Sequence, residues 1–355
     1  MRYLLTVPAL TPGSGLSKYV MTLASMLINL GNEVGVLATH TSDFSYERES
    51  LNKIGVKYHF YNTSKYKICK YLKFIHIIRS FNADVIINNY DGLIQYILPF
   101  CKNKSRLIHI LHNDTPDFYR IGSINGRFVD GWIAPTKAVA DNFNVYTKYK
   151  YVQQVSVIPH GVEETNFDLS VKDQKTLTFV GVLEEHKGVL LLPQIIKELE
   201  NRQIDFNFTI VGGGKFNDYL RNALEEEIVN GSVKFTGIVS PKLVYEILSK
   251  SSIFVYPTHI DSFGLVIAEA MMNGAVPVVS HLEGITDQLV DNEINGYLVK
   301  VDDVNGFVDR IQGLLQNPAE MNAIGLKARE KAKKIFSLKS MGMAYLDTIN
   351  KTLSR

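Results

Sequence analysis

The sequence predicts an α/β chain built from two doubly wound parallel-sheet domains. Three observations predict it. At 355 residues the chain exceeds one ordinary domain and suits two of α/β size. Short apolar runs alternate with stretches of helical period along its length, the pattern of βαβ units. The rhythm then breaks at the turn Pro159-His160-Gly161-Val162 and a polar stretch to Lys175, and restarts at Thr176. The expected boundary therefore falls between 159 and 160.

The first strand is expected at 3–7, running into the loop Pro12-Gly13-Ser14-Gly15. Leu16, Tyr19, Val20, Leu23, Ala24, Leu27 and Leu30 then recur on one helical face, and Gly31 ends that helix. Strands follow at 34–38, 85–87, 107–111, 132–134 and 155–158. The second half repeats the scheme at 176–181, 207–211, 232–235, 253–256 and 276–279, and residues 338–353 form a last, separate helical stretch. Open sheets of this kind bind ligands outside the carboxyl ends of their strands, which puts the expected site in a cleft between the two domains.

Composition narrows the class. Apolar residues make up 46% of the chain, ample for two cores, yet no run is long enough to span a bilayer. The N-terminus reads as a strand rather than a secretory signal, and Cys69 and Cys101 are the only cysteines, which suits a reducing cytoplasm. The nine histidines form no zinc-type cluster, and no D-x-D motif is present. His109 and His112, three apart on an expected strand, should face opposite sides. Net charge is +2, but the halves differ: residues 1–158 carry 18 Lys/Arg against 10 Asp/Glu, and residues 159–355 carry 20 against 26.

The most informative segment is 252–284, SIFVYPTHIDSFGLVIAEAMMNGAVPVVSHLEG. It reads strand, loop, helix, strand. The helix is expected to start near Phe263 with Ser262 as N-cap and to end at Gly274. Free amides of Ser262, Phe263, Gly264 and Leu265 at that helix start would receive a phosphate. Glu269, two turns in, would accept from a ribose diol. Spacing alone would equally suit an ordinary βαβ unit with a solvated Asp261 and Glu269.

This segment resembles the E-x7-E signature of family 4 glycosyltransferases, retaining enzymes of the GT-B fold, with Asp261 in place of the first Glu. The resemblance implies two Rossmann-like domains facing a cleft. The first is 1–159 with the returning helix 338–355 and would bind the acceptor; the second, 160–337, would bind a nucleotide-diphosphate sugar, a UDP-sugar in this reading. It also implies that Asp261 sits beside the transferred sugar, Glu269 on the ribose, and the intervening amides on the diphosphate.

Further motifs fall in register. Gly15 corresponds to the second glycine of the family's GG turn and would let backbone approach the donor. His112 matches the histidine that contacts the donor sugar from the first domain, although a strand-end histidine is more often structural. The run 178–188, TFVGVLEEHKG, resembles F-V-G-R-L-x-x-x-K-G, so Lys187 would carry charge to the leaving diphosphate. Val182 stands where the family has Arg, which removes a forked donor. The F-x-G-x-V turn ending at Val239 would meet the base. The catalytic set is thus His112, Asp261 and Lys187, with no metal and no cofactor.

Residues 57–79 interleave Lys57, Lys65, Lys67, Lys70, Lys73 and Arg79 with tyrosines and phenylalanines. That mixture suits an anionic membrane surface, or else a solvated helix with its aromatics in the core. Nothing else resembles a nucleic-acid module. The expected function is metal-independent, retaining sugar transfer to a glycan or lipid-linked glycan in bacterial surface-polysaccharide synthesis, in the cytoplasm or at the inner membrane face. A non-catalytic GT-B subunit that binds or chaperones a partner transferase is the alternative, and a GT-B epimerase or phosphorylase is a further enzyme reading.

Overall fold

The structure is a computed structural model, and it describes residues 1–11, 14–40, 45–61, 67–101, 104–165 and 174–353. By internal contacts the chain divides into two compact units: Met1–His160 with Leu338–Arg355, and Gly161–Ser337.

In the first unit the described strands are β1 (Arg2–Val7), β2 (Glu33–Ala38), β3 (Tyr58–Tyr61), β4 (Val85–Asn88), β5 (Arg106–Ile110), β6 (Gly131–Ala134) and β7 (Val155–Val157). They form one parallel sheet in the order β3-β2-β1-β4-β5-β6-β7. The strands are nearly all buried because helices cover both faces, so apolar residues run continuously rather than alternate with polar ones. Tyr3, Leu5 and Val7 point to one face, where Leu23 and Leu27 of helix Gly15–Asn29 meet Met341, Tyr345 and Ile349 of helix Leu338–Leu353. Gly342 lets those two helices approach: a Cβ there would lie 2.9 Å from Met26 Sδ. Leu4 points to the other face, with Phe74 and Ile78 of helix Lys67–Phe81, Ile94 and Leu98 of helix Gly92–Cys101, and Trp132. Each such side chain stabilises the fold by about 1.5–3 kcal/mol through burial alone.

The second unit holds β8 (Thr176–Val180), β9 (Asn207–Val211), β10 (Val233–Gly237), β11 (Ile253–Tyr256), β12 (Val276–Ser280) and β13 (Tyr297–Val299), all parallel, in the order β10-β9-β8-β11-β12-β13. Both sheets therefore reverse strand order once, between β1 and β4 and between β8 and β11. Those two points are where an open α/β sheet presents a crevice at its carboxyl edge.

Strand β3 has no counterpart in the sequence expectations, which treated 57–79 as a single segment. Lys65 and Tyr66 of that segment lie outside the described residues, as does Gly13. Among the described residues no helix is long and apolar enough to cross a membrane, and no three His, Cys, Asp or Glu side chains are grouped to hold a metal ion.

Candidate functional site

At the switch point of the second sheet, the loop leaving β8 meets the loop leaving β11. Glu185–Lys187 forms a single 3-10 turn, ended by Gly188 at φ +67°. Only glycine fits there: a Cβ on Gly188 would lie 1.7 Å from the Pro257 carbonyl oxygen. That close approach lets the two loops lace together. The His186 carbonyl accepts from the amides of His259 (3.0 Å) and Ile260 (3.2 Å) and from Thr258 Oγ1 (3.1 Å). Lys187 Nζ is thereby delivered to Asp261, 2.9 Å from Oδ2, and donates also to the Ile260 carbonyl at 3.2 Å.

Asp261 has a different local structure from the one its spacing suggested. Its Oδ1 accepts from the amides of Ser262 (2.8 Å), Phe263 (3.2 Å) and Gly264 (3.0 Å). Its Oδ2 accepts from Lys187 and from Tyr256 Oη at 2.9 Å. The helix consequently starts at Leu265, not near Phe263, and its N-cap is Gly264 at φ +85° rather than Ser262. Of the four amides expected to stand free for a phosphate, those of Ser262, Phe263 and Gly264 are already engaged by the Asp261 carboxylate. An aspartate reaches back to the amides that follow it in this way because its side chain is short. Burial alone would push the Asp261 carboxyl up. Lys187 and the Ser262 and Phe263 amides outweigh that, and hold it below the usual aspartate value.

Glu269 lies in the helix Leu265–Met272 and is 5% exposed. It accepts from Tyr245 Oη at 3.3 Å. Tyr245 belongs to the helix Pro241–Lys250, whose N-cap Ser240 accepts from the Leu243 amide directly after Val239. Val239 thus sits half-buried beyond β10, in the turn that leads into Glu269's partner helix. Burial, followed by the charge of Glu269, raises the Tyr245 phenol. Val182 follows β8 and is 49% exposed.

In the first unit, Gly15 opens its helix, and a Cβ there would meet no atom within 4 Å, so packing within the chain does not require glycine at this position. Strand β5 stops at Ile110, and His112 lies beyond it, so the opposite-face argument applies to His109 only. His109 is fully buried with neither ring nitrogen partnered, and burial lowers its pKa to about 3. His112 Nε2 lies 3.1 Å from Asn89 Oδ1. Asn89 Nδ2 donates to the Thr6 and Ile87 carbonyls, which fixes Oδ1 toward the histidine. His112 therefore carries its proton on Nε2, leaving Nδ1 as an acceptor. Burial, then His160 and His109, hold the imidazole well below its ordinary pKa, so it is neutral at pH 7. Tyr19 packs edge-on against both His112 and His160, with centroids 4.7 Å away in each case, and its hydroxyl bonds to that of Tyr345.

Sequence reasoning missed Tyr19, Asn89, Tyr245 and Tyr256. Each acts on a site residue from a separate element, and no local motif marks it. In the second unit the structure brings Lys187 and Asp261 into contact and sets Glu269 along the adjoining helix. Gly15 and His112 stand at the carboxyl edge of the first unit's sheet.

Comparison with known proteins adds the family. Residues 162–331 match the family model described as Glycosyl transferases group 1, and residues 13–166 match Glycosyltransferase Family 4. An uncharacterized glycosyltransferase of Methanocaldococcus jannaschii is 27% identical over 289 residues, 77% of this chain and 76% of that protein. Among solved structures, HepE of Anabaena in complex with UDP superposes with a TM-score of 0.80 at 17% identity, covering 99% of this chain and 100% of that one. TarM superposes with a TM-score of 0.83 at 13% identity, covering 98% of each chain. The fold is therefore GT-B, and the chain belongs to the family 4 (group 1) glycosyltransferases.

Proposed function

We propose that the chain is a retaining, metal-independent glycosyltransferase that moves a sugar from a UDP-sugar to a hydroxyl of a glycan or lipid-linked glycan. The observation that carries this reading is the Lys187–Asp261 pair at the switch point of the second sheet, beside the helix that bears Glu269. HepE is described in complexes with UDP and with UDP-glucose, which supports a uridine nucleotide as the donor's base.

In this reading Glu269, held by Tyr245, accepts from the ribose hydroxyls. Lys187 donates to the diphosphate, whose negative charge grows as the anomeric bond breaks; an ordered cation at such a point is what lowers the barrier. The resemblance gives Asp261 a contact with the sugar. Its two oxygens are saturated by Lys187, Tyr256 and three amides, so we assign it instead to positioning Lys187. Neutral His112 offers Nδ1 to a sugar hydroxyl. In the front-face displacement, the acceptor oxygen bonds to the anomeric carbon on the face the leaving phosphate departs. That phosphate takes the acceptor proton, and configuration is retained.

The contrary reading, a non-catalytic subunit, draws on Val182, an exposed apolar side chain where the family carries Arg. Turnover decides between them: purified protein with UDP-glucose and other UDP-sugars should release UDP, and Lys187→Ala should lose most of that release. No release and no nucleotide binding across a broad donor panel would favour the subunit.

We place the protein at the inner face of an anionic membrane, in surface-polysaccharide synthesis. The support is helix Lys67–Phe81, where Phe74 and Ile78 are buried while Tyr71 (39%) and Leu72 (63%) are exposed beside Lys73. Phe100 (63%) of the neighbouring helix adds to that face, and Arg79 Nη2 ties the two helices by donating to the Phe100 carbonyl at 2.6 Å.

A further inference from the structure

A cavity of about 600 Å³ lies in the first unit at its own switch point, over the carboxyl ends of β1, β2 and β4. Its size is that of ordinary small-molecule sites. Tyr71, Tyr90 and Tyr96 line it with Lys70 and His40, and among the described residues that line it there is no carboxylate. Helices Lys67–Phe81, Gly92–Cys101 and Pro116–Ser123 supply its walls, so it is built within one unit.

Tyr90 is held there against its own backbone preference. It has φ +60°, the left-handed region that a bulky side chain rarely adopts. A buried network enforces the turn. Asn88 Oδ1 accepts from Thr6 Oγ1 and from the Asp91 amide, and Asn88 Nδ2 donates to the Asp91 carbonyl and to Gln95 Oε1. Asp91 Oδ1 in turn accepts from the amides of Leu93 and Ile94 at the helix start. The Tyr90 ring is stacked flat on Phe118, with centroids 3.6 Å apart. Backbone strain held in place by a buried network in this way clusters at ligand sites, and Tyr90 lines the cavity.

His40 is fixed by the same network. Thr39 Oγ1 bonds to the buried Asp91 Oδ2 at 2.5 Å and lies 2.9 Å from His40 Nδ1. Thr39 Oγ1 gives its one proton to Asp91 and so accepts from His40 Nδ1–H, which leaves Nε2 as an acceptor for a ligand hydroxyl. Asp91 sits behind Thr39 and does not line the cavity.

We propose that this cavity binds the acceptor, and that the acceptor is a phosphate-bearing saccharide. Its sugar C–H face packs on the Tyr90 and Tyr96 rings, its phosphate meets the Lys70 ammonium, and one of its sugar hydroxyls donates to His40 Nε2. The inference rests on the glycosyltransferase reading and gives it a substrate class.

The test uses the full chain saturated with UDP, so that a phosphate cannot report on the donor site. Calorimetry compares glucose 1-phosphate, an alkyl glucosyl phosphate in detergent micelles, and uncharged methyl glucoside. The expected result is binding of at least one phosphorylated probe, at least tenfold tighter than methyl glucoside. Lys70→Gln and Tyr90→Ala should each weaken it tenfold or more, with UDP affinity unchanged. Binding of the micellar probe alone assigns a lipid-borne acceptor; binding of the free probe assigns a soluble or polymeric one. The inference is overturned if neither phosphorylated probe binds, if methyl glucoside binds as well as they do, or if both variants bind like wild type. Failure of UDP itself to bind would count against the transferase reading instead, and the probes can then be run without it.

Discussion

Lys187 and Asp261 depend on each other. Both side chains are mostly buried, at 17% and 14% exposed, so removing one leaves the other charged and poorly solvated. Lys187→Ala should lower stability by about 2 kcal/mol, the scale of a hydrogen bond to a charged group. That corresponds to a melting-temperature fall of roughly 4–8 °C for a unit of this size. The pH dependence follows from the Asp261 shift. Its folded pKa is depressed, so the stabilisation is fully present above the unfolded value and is lost as pH falls through the folded one. The gap between wild type and Lys187→Ala should therefore close below about pH 4. A gap that persists at lower pH would mean the pair is not what stabilises the turn. Glu269→Ala should leave the fold intact and weaken UDP binding by about 1.5–3 kcal/mol, measured by calorimetry. Unchanged affinity in a folded variant would remove Glu269 from the site.

Elements were legible where one pattern decided them. The apolar runs at 85–87, 253–256 and 276–279 are β4, β11 and β12, and the periodic stretch from Leu16 to Leu27 lies within the helix Gly15–Asn29. The start of the Leu265 helix was misread because a side chain, Asp261, captured the amides that propensity assigned to the helix. Strand β3 was hidden because Tyr58–Tyr61 is short and its composition is like that of the basic helix Lys67–Phe81. Gly188 shows how a loop can be decided by a contact distant in sequence. Gly188→Ala forces a Cβ into the Pro257 carbonyl and should cost roughly 3 kcal/mol or more. A melting temperature within a degree of wild type would show that the two loops part easily. For the basic segment 57–79, changing Lys65, Lys67, Lys70 and Lys73 to Glu should abolish sedimentation with anionic liposomes without changing UDP affinity, and roughly 0.5 M salt should release the wild type. Sedimentation unaffected by the four changes would make this face an ordinary solvated one.

At the scale of the whole molecule, the two units repeat one plan and present different chemistry at their switch points. The first offers tyrosines, Lys70, His40 and neutral His112; the second offers Lys187 and Glu269 around the Asp261 turn. The charge division along the chain agrees, with the basic excess in the half that holds the acceptor cavity. The second site was readable because its residues fall in contiguous motifs. The cavity was not, because Asp91, Thr39 and His40 come together only through the β1-β2-β4 neighbourhood. In the proposed function Lys187, positioned by Asp261, holds a UDP-sugar diphosphate without a metal. The most direct measurement is UDP release from UDP-sugars by the purified full chain in excess EDTA, with Lys187→Ala alongside. Release that persists in EDTA and falls by about a hundredfold in the variant is the predicted result. Release that vanishes on chelation and returns with manganese or magnesium, or that survives intact in Lys187→Ala, would contradict it.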